Sequence, residues 1–321
     1  MYVTREELPI EPIEILIEVV FNRSREEVKI KKCSMGDVNL TYVLEMQNEK
    51  YIIKMDKNVS HPILYSGQIE RELAGLNLCK INGIVCPKVI SYDLTGNIAG
   101  AKYIVTEYLN APLLSKVWPN MNLDEKMDMK QQALDMIKAF ANIRSTFFGD
   151  IYENGKIGQY QSWTEAFIRL VEIAVKDCEP YGSLGRQESD VILQSARECS
   201  KHLFLREKPC FCHMDFHWNN IFVNREDDAY KIAGIIDFGS SLFAPSYSDL
   251  FRLQGGFLYG TENFHHDIKR PYVINIDQTF SADLFNTLDY YVFLSFTRKG
   301  TEIVKKRMMK ICYEYLQRCG I

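Results

Sequence analysis

Long apolar runs are missing from this 321-residue chain: uninterrupted stretches such as Tyr290–Leu294 are far too short to span a bilayer. An excess of one charge is missing too. The 38 basic and 42 acidic residues leave a net −4 with histidine neutral. The balance is even along the chain, with 13 basic against 15 acidic residues before position 110 and 25 against 27 after it. That excludes the basic footprint expected of a nucleic-acid or anionic-membrane binder. A disulfide framework is also missing, because nine cysteines are odd in number and scattered over a long chain. Cys210 and Cys212 stand beside His213, but no second pair follows at metal-ligand spacing, so they read as buried thiols. The first seven residues are charged with no apolar run behind them; no signal peptide is expected, and the reduced cytoplasm is the expected compartment.

What remains is an ordinary globular composition, 46% hydrophobic and 25% charged, at a length near two domains. Ile13, Leu16, Ile17 and Val20 have helical spacing. Two alternating runs, Thr41–Met46 and Tyr51–Met55, flank the polar turn 47–50 and predict a hairpin. Helical spacing returns over 68–80, and 88–92 and 103–109 read as two more strands. After Pro112 helices dominate: 124–146, a segment opened by the capping signal Ser162-Trp163-Thr164-Glu165, 284–297 and 303–316. Between them lies a strand-rich island, Cys210–Asp237. The expected boundary falls at 109/110, dividing the chain into a region 1–109 and a region 110–321.

The island holds the densest signal, His213-Met214-Asp215-Phe216-His217-Trp218-Asn219-Asn220-Ile221, then Ile235-Ile236-Asp237-Phe238-Gly239. Phosphoryl transfer from a nucleotide needs an acceptor that orients the attacking hydroxyl and oxygen ligands for Mg²⁺. An Asp and an Asn five residues apart on a loop entering a strand can supply the first and part of the second. A second Asp closing an apolar strand completes the set, and the glycine two residues on lets the backbone turn sharply.

The pattern H-x-D-x-x-x-x-N, with D-F-G beginning 17 residues later, resembles the kinase-like superfamily. Phe216-His217 is similar to the form seen in the aminoglycoside phosphotransferase and choline kinase branch. The resemblance implies an α+β, bilobal protein-kinase-like fold. Its N-terminal lobe would be an antiparallel sheet with one key helix, and its C-terminal lobe larger and mainly helical. It implies Asp215 as the catalytic base, Asn220 and Asp237 as Mg²⁺ ligands, and a loop-holding role for His213. His213 and His217 read as structural histidines that need do no chemistry.

By the same resemblance the N-terminal half should hold the nucleotide. Lys54, near the end of the second hairpin strand, would reach the phosphates, and Glu72, 18 residues on, would fix that lysine, with Glu70 as its competitor. Ser34–Tyr42 resembles the family's phosphate loop, with Gly36 as its glycine and Met35 where a first glycine is common. Tyr103–Leu109 resembles the hinge segment that binds adenine through backbone groups, which points to Glu107 and Leu109. Asp249-Leu250 resembles a structural element in which Asp249 is a buried loop anchor. ATP is the expected donor, with GTP left open.

Ala244-Pro245-Ser246 follows Gly239 by five residues, which leaves no room for a peptide-positioning segment, so the acceptor is expected to be a small molecule. Aminoglycosides, amino alcohols, homoserine and sugar-like alcohols fit the branch. Eight acidic residues against four basic ones between Asp150 and Asp190 suit a cationic acceptor, although solvated helix faces explain them more simply. Trp163, Tyr160, Tyr290 and Tyr291 could stack on a sugar or cage an amine, but read first as core. The expected partners are nucleotide and acceptor, without nucleic acid or membrane, in a monomer or homodimer. The competing expectation is a catalytically idle nucleotide-binding scaffold, like the spore-coat-associated members of the superfamily.

Overall fold

The computed structural model describes residues 11–33, 38–57, 59–203, 207–254 and 275–321. Gly36 and its neighbours 34, 35 and 37 lie outside the described residues. The chain divides into two units: residues up to Ser60 with Cys86–Asn110, and His61–Val85 with Ala111–Ile321.

In the first unit, strands β1 (Lys29–Lys32), β2 (Leu40–Met46), β3 (Glu49–Met55), β4 (Val89–Asp93) and β5 (Tyr103–Glu107) form one sheet in the order β1-β2-β3-β5-β4. All its pairings are antiparallel. Met46 pairs with Glu49, so the hairpin turns on Gln47-Asn48 alone, with Gln47 at φ 46°. Alternation decides the faces. Leu40, Tyr42, Leu44, Ile53, Met55, Tyr103 and Val105 point to one side and share a core with Ile13, Leu16 and Ile17 of helix α1 (Glu11–Phe21). Lys54, paired with Thr41 and Ile104, sits on the opposite face.

The second unit contains helices α2 (Gln68–Ile81), α3 (Leu114–Val117), α4 (Leu123–Asn142), α5 (Trp163–Cys178), α6 (Arg186–Ser200), α7 (Tyr247–Gln254), α8 (Ile276–Phe296) and α9 (Glu302–Arg318). Short strands β6 (Phe148–Asp150), β7 (Gln159–Tyr160), β8 (Cys210–Cys212) and β11 (Leu242–Ala244) form a sheet in the order β7-β6-β11-β8. Strands β9 (Ile221–Glu226) and β10 (Ala229–Ile235) make a separate hairpin. The architecture is α+β with an antiparallel five-stranded sheet and a mainly helical second unit.

Four features differ from the sequence reading. Helix α2 belongs with the second unit, because the segment leading into it is tied to helices there: Asp177 of α5 accepts the Ile63 and Leu64 N–H groups at 2.8 and 3.0 Å. Helix α4 stops at Asn142, since the Ile143 carbonyl accepts Phe211 N–H at 2.8 Å and turns the chain toward β8. Helix α8 starts at Ile276 because Asn275 and Gln278 form a reciprocal capping box. Helix α6 was not anticipated; its buried face is Ile192, Ser195, Ala196 and Cys199, too small and polar to print an apolar period.

None of the nine cysteines forms a disulfide, and the Cys210 and Cys212 thiols are buried against the Ala244 carbonyl. Among the described residues no helix is long and apolar enough to cross a membrane.

Candidate active site

Strand β8 delivers the chain into the loop 213–220. His213, fully buried, ties this loop to the strand end before Asp237: its Nε2 donates to the Ile236 carbonyl at 2.9 Å and its Nδ1 accepts the Asp215 N–H at 3.2 Å. Burial depresses the imidazole pKa, which suits this neutral, doubly bonded tautomer. His217 is likewise engaged with backbone, its Nδ1 accepting Asn219 N–H at 3.2 Å.

Asp215 and Asn220 are in direct contact. The Asn220 amide donates to the Asp215 carbonyl at 2.9 Å and to its carboxylate at 3.0 Å. Asn220's own carbonyl accepts Ile236 N–H at 3.0 Å, so the loop and the residue before Asp237 are stitched together twice, here and through His213. Asp237 follows with φ 71° and ψ 56°, left-handed backbone that a non-glycine residue adopts at a cost of about 1–3 kcal/mol. The structure therefore brings Asp215 and Asn220 into contact and places Asp237 directly after the residue that the loop binds twice.

Burial would raise the Asp215 pKa, but the His217 imidazole and Arg252 guanidinium reverse that and hold the carboxyl well below the usual range. Its carboxylate keeps 24% exposure, so an ionised group remains reachable. Asp249 on α7 is the loop anchor that its position suggested: its two oxygens accept the N–H groups of His213 and Met214, both at 2.8 Å.

Helix α2 packs against Phe238–Ser240, and Gly75 makes this possible, since a Cβ there would stand 2.7 Å from the Phe238 Cβ. Glu72 is buried on α2, whereas Glu70 is half-buried. Their neighbour Arg71 was not singled out in the sequence. It pairs with Asp150 at 2.7 Å and donates to the Leu64 carbonyl at 3.1 Å. Lys54, Glu107 and Leu109 lie in the first unit. Glu107 ends β5 with its carboxylate accepting Lys88 N–H at 3.0 Å, and Leu109 lies two residues past the strand, outside regular secondary structure.

The acidic stretch resolves into structural contacts at several points. Asp150 is spent on Arg71 and the Ile157 N–H, Asp177 on the segment before α2, and Glu188 on Gly185 N–H and Lys305. Trp163 and Tyr291 are core, the latter donating to the Ser183 carbonyl at 2.6 Å.

Among the described residues no group of three or more His, Cys, Asp or Glu is arranged to hold a metal. Mg²⁺ does not ask for one. It prefers one or two protein oxygens completed by phosphate and water. With its N–H₂ turned to Asp215, Asn220 has its amide oxygen left as donor, and Asp237 follows two residues after the end of β10; carboxylate and amide oxygens of this kind fit Mg²⁺ carried by a nucleotide.

A curated relative, a subtelomeric hrmA-associated cluster protein of Aspergillus fumigatus, is 25% identical over 126 residues, 38% of this chain. That match spans about a quarter of the relative's own length, 24%. Two solved structures share the fold. One is a thermostable mutant of aminoglycoside phosphotransferase APH(4)-Ia in ternary complex with AMP-PNP and hygromycin B, at 15% identity and TM-score 0.62, covering 95% of this chain and 97% of that one. The other is a protein assigned as a fructosamine-3-kinase from Haemophilus somnus, at 16% identity and TM-score 0.62, covering 95% and 96%. The model of the APH phosphotransferase enzyme family matches residues 29–279, more than three quarters of the sequence. The chain therefore belongs to the phosphotransferase enzyme family.

Proposed function

We propose that this protein transfers the γ-phosphate of ATP, in the presence of Mg²⁺, to a hydroxyl of a small molecule. The observation that carries the reading is the Asn220 amide donating to the Asp215 carboxylate on a loop bonded twice to Ile236, next to Asp237. That arrangement puts a carboxylate in contact with a residue whose amide nitrogen is engaged, which supports a role for the amide oxygen as a metal ligand.

Asp215 accepts the acceptor's O–H hydrogen bond and so aims the oxygen at the γ-phosphorus. As the new O–P bond forms and the bond to the β-phosphate oxygen breaks, the proton passes to the Asp215 carboxylate. Asn220 and Asp237 would hold Mg²⁺, which when bound offsets phosphate charge. In this reading Lys54 steadies the donor phosphates and the backbone at Glu107–Leu109 takes adenine.

Two features support ATP and a polar alcohol. The APH(4)-Ia neighbour was captured with AMP-PNP and hygromycin B, and another neighbour is assigned as a fructosamine-3-kinase. Aminoglycosides, amino alcohols, homoserine and sugar-like alcohols are thus the acceptors to try. A net acidic pocket adds less to a cationic choice than the sequence suggested, because Asp150, Asp177 and Glu188 are already engaged.

The test is ADP release from Mg·ATP across that acceptor panel, with D215N alongside. Acceptor-dependent release that falls about 10²–10⁴-fold in D215N, with nucleotide affinity nearly kept, is expected. Full activity in D215N would remove the base assignment. A protein whose melting temperature rises with Mg·ATP but which turns over nothing would instead be an idle scaffold.

A further inference from the structure

Helix α7 holds the loop before Asp215 from two sides. Asp249 accepts the Met214 N–H at 2.8 Å, and Arg252, one turn later on the same helix, donates Nε to the Met214 carbonyl at 2.5 Å. Both polar groups of the Met214 peptide unit are therefore engaged by α7. This matters because Met214 has φ 62°, a left-handed conformation that an unbranched L-residue keeps only where its surroundings over-determine it. The residue so constrained is the one that sets where the Asp215 side chain leaves the backbone.

Arg252 also reaches beyond the backbone. Its Nε lies 3.8 Å from Asp215 Oδ1, and its Nη2 pairs with the Asp289 carboxylate of α8. Its side chain is only 4% exposed. Asp289 in turn accepts the Tyr65 hydroxyl at Oδ1, 2.9 Å, and at its carbonyl, 2.7 Å. The guanidinium plane is thus fixed from α8 while its near edge faces the loop. A recess of about 20 Å³, room for a single water, borders Met214, Arg252 and Asp289. A planar fork can serve a carbonyl, one carboxylate and the field of another at once; a lysine ammonium, a point charge on a flexible stem, cannot.

We propose that Arg252, oriented by Asp289, is a positioning residue for Asp215: it keeps Met214 in its left-handed turn and fixes the carboxylate toward the acceptor hydroxyl. This rests on Asp215 being the base. Removing the fork should let the carboxylate drift while leaving nucleotide binding intact, a loss in turnover and not in KM for Mg·ATP.

The experiment compares R252Q, R252K, D289N and D215N. ADP release from Mg·ATP is followed with the panel acceptor of highest turnover and with water as acceptor. R252Q is expected to lower kcat by about 10²-fold with KM for Mg·ATP within about threefold, the size of effect that a misplaced catalytic group produces. R252K should recover little of it, and D289N, which keeps the hydrogen-bond acceptor but not its charge, should fall between. The double variant D215N/R252Q should be no slower than D215N alone, which a general structural role would not give. Hydrogen exchange of the peptide spanning 210–220 reads the same loop without turnover and should quicken about tenfold or more in both Arg252 variants.

Native kcat in R252Q beside an inactive D215N overturns the inference and leaves the base assignment standing. Full activity in D215N removes both. Unchanged exchange in R252K, or in R252Q where it folds, also overturns the inference, and D289N with native kcat and native exchange removes Asp289 from it.

Discussion

Arg71 and Asp150 meet at 2.7 Å with side chains 1% and 0% exposed. Few buried charges are so fully withdrawn from water, and each has further bonds. Asp150 Oδ2 accepts the Ile157 N–H at 2.9 Å, while Arg71 Nη1 donates to the Leu64 carbonyl at 3.1 Å. The pair ties helix α2, one residue from Glu72, to strand β6 within the second unit. Such a pair does little for stability against an apolar alternative, but breaking it leaves a lone buried charge.

R71M or D150N should therefore lower the unfolding free energy of the second unit by about 3–5 kcal/mol, read by urea denaturation. A loss under about 1 kcal/mol would mean that water reaches the pair.

Gly75 sets up a contest between local and tertiary preference. Alanine is favoured over glycine inside a helix by about 1 kcal/mol. Its Cβ, however, would meet Phe238 Cβ at 2.7 Å and Cγ at 3.1 Å, closer than packed atoms come. Overpacking of this kind costs about 1–3 kcal/mol. G75A should come out destabilised or neutral, never stabilised by its full helix gain, and should lower turnover, because Phe238 adjoins Asp237. Thermal melting and ADP release check both halves.

How much of this was legible beforehand follows sequence distance. Asp215, Asn220 and Asp237 lie within one short stretch, and their spacing carries the chemistry of the loop on its own. Lys54 was placed on a strand and Glu72 on a helix by periodicity, and both elements are present. Arg252 and Asp289, 37 residues apart, and Arg71 and Asp150, 79 apart, print no local pattern at all. Their partnership is decided by which helices pack, and a charged residue read alone defaults to the surface. Asp150 and Asp177 were read that way for this reason. Helix α6 escaped because its inner face is Ser195, Ala196 and Cys199 around a single Ile192, so packing against neighbouring helices, not an apolar stripe, holds it in place.

Asp93 gives the first unit an acid-sensitive joint. The Thr95 hydroxyl bonds its Oδ1 at 2.6 Å, and the Thr95 and Ile98 N–H groups bond its two oxygens at 2.7 and 3.0 Å. These bonds, the Thr95 hydroxyl foremost, hold its pKa down to about 2. Because the folded value lies below the unfolded one, near 4, the ionised group contributes its full stability above about pH 4. That contribution drains away as pH falls from about 4 to about 2. D93N should flatten this limb of the stability curve and cost about 1–3 kcal/mol at neutral pH, since it loses charge-assisted bonds at a buried turn. Chemical denaturation of both proteins at pH 7, 4 and 2.5 measures it; parallel curves would rule the carboxylate out.

Removal of Mg²⁺ separates the two roles assigned to the loop. In the proposed scheme Asp237 and Asn220 would supply oxygens to Mg²⁺ bound with the nucleotide, whereas Asp215 would supply none. D237N should therefore weaken the rise in melting temperature that Mg·ATP produces, and EDTA should erase it in the native protein. D215N should keep that rise unaltered while losing turnover. The remaining Mg²⁺ dependence is the discriminating quantity: D237N should need about tenfold or more Mg²⁺ to reach half of its effect, since one of few protein ligands is gone. Asn220 donates to the Asp215 carboxylate at 3.0 Å and in the proposed scheme would also give an oxygen to the metal, so N220A should show both defects, a weaker Mg²⁺ response and slower turnover. A native Mg²⁺ response in D237N would transfer the metal site to other oxygens and leave the left-handed turn at Asp237 with a purely structural purpose.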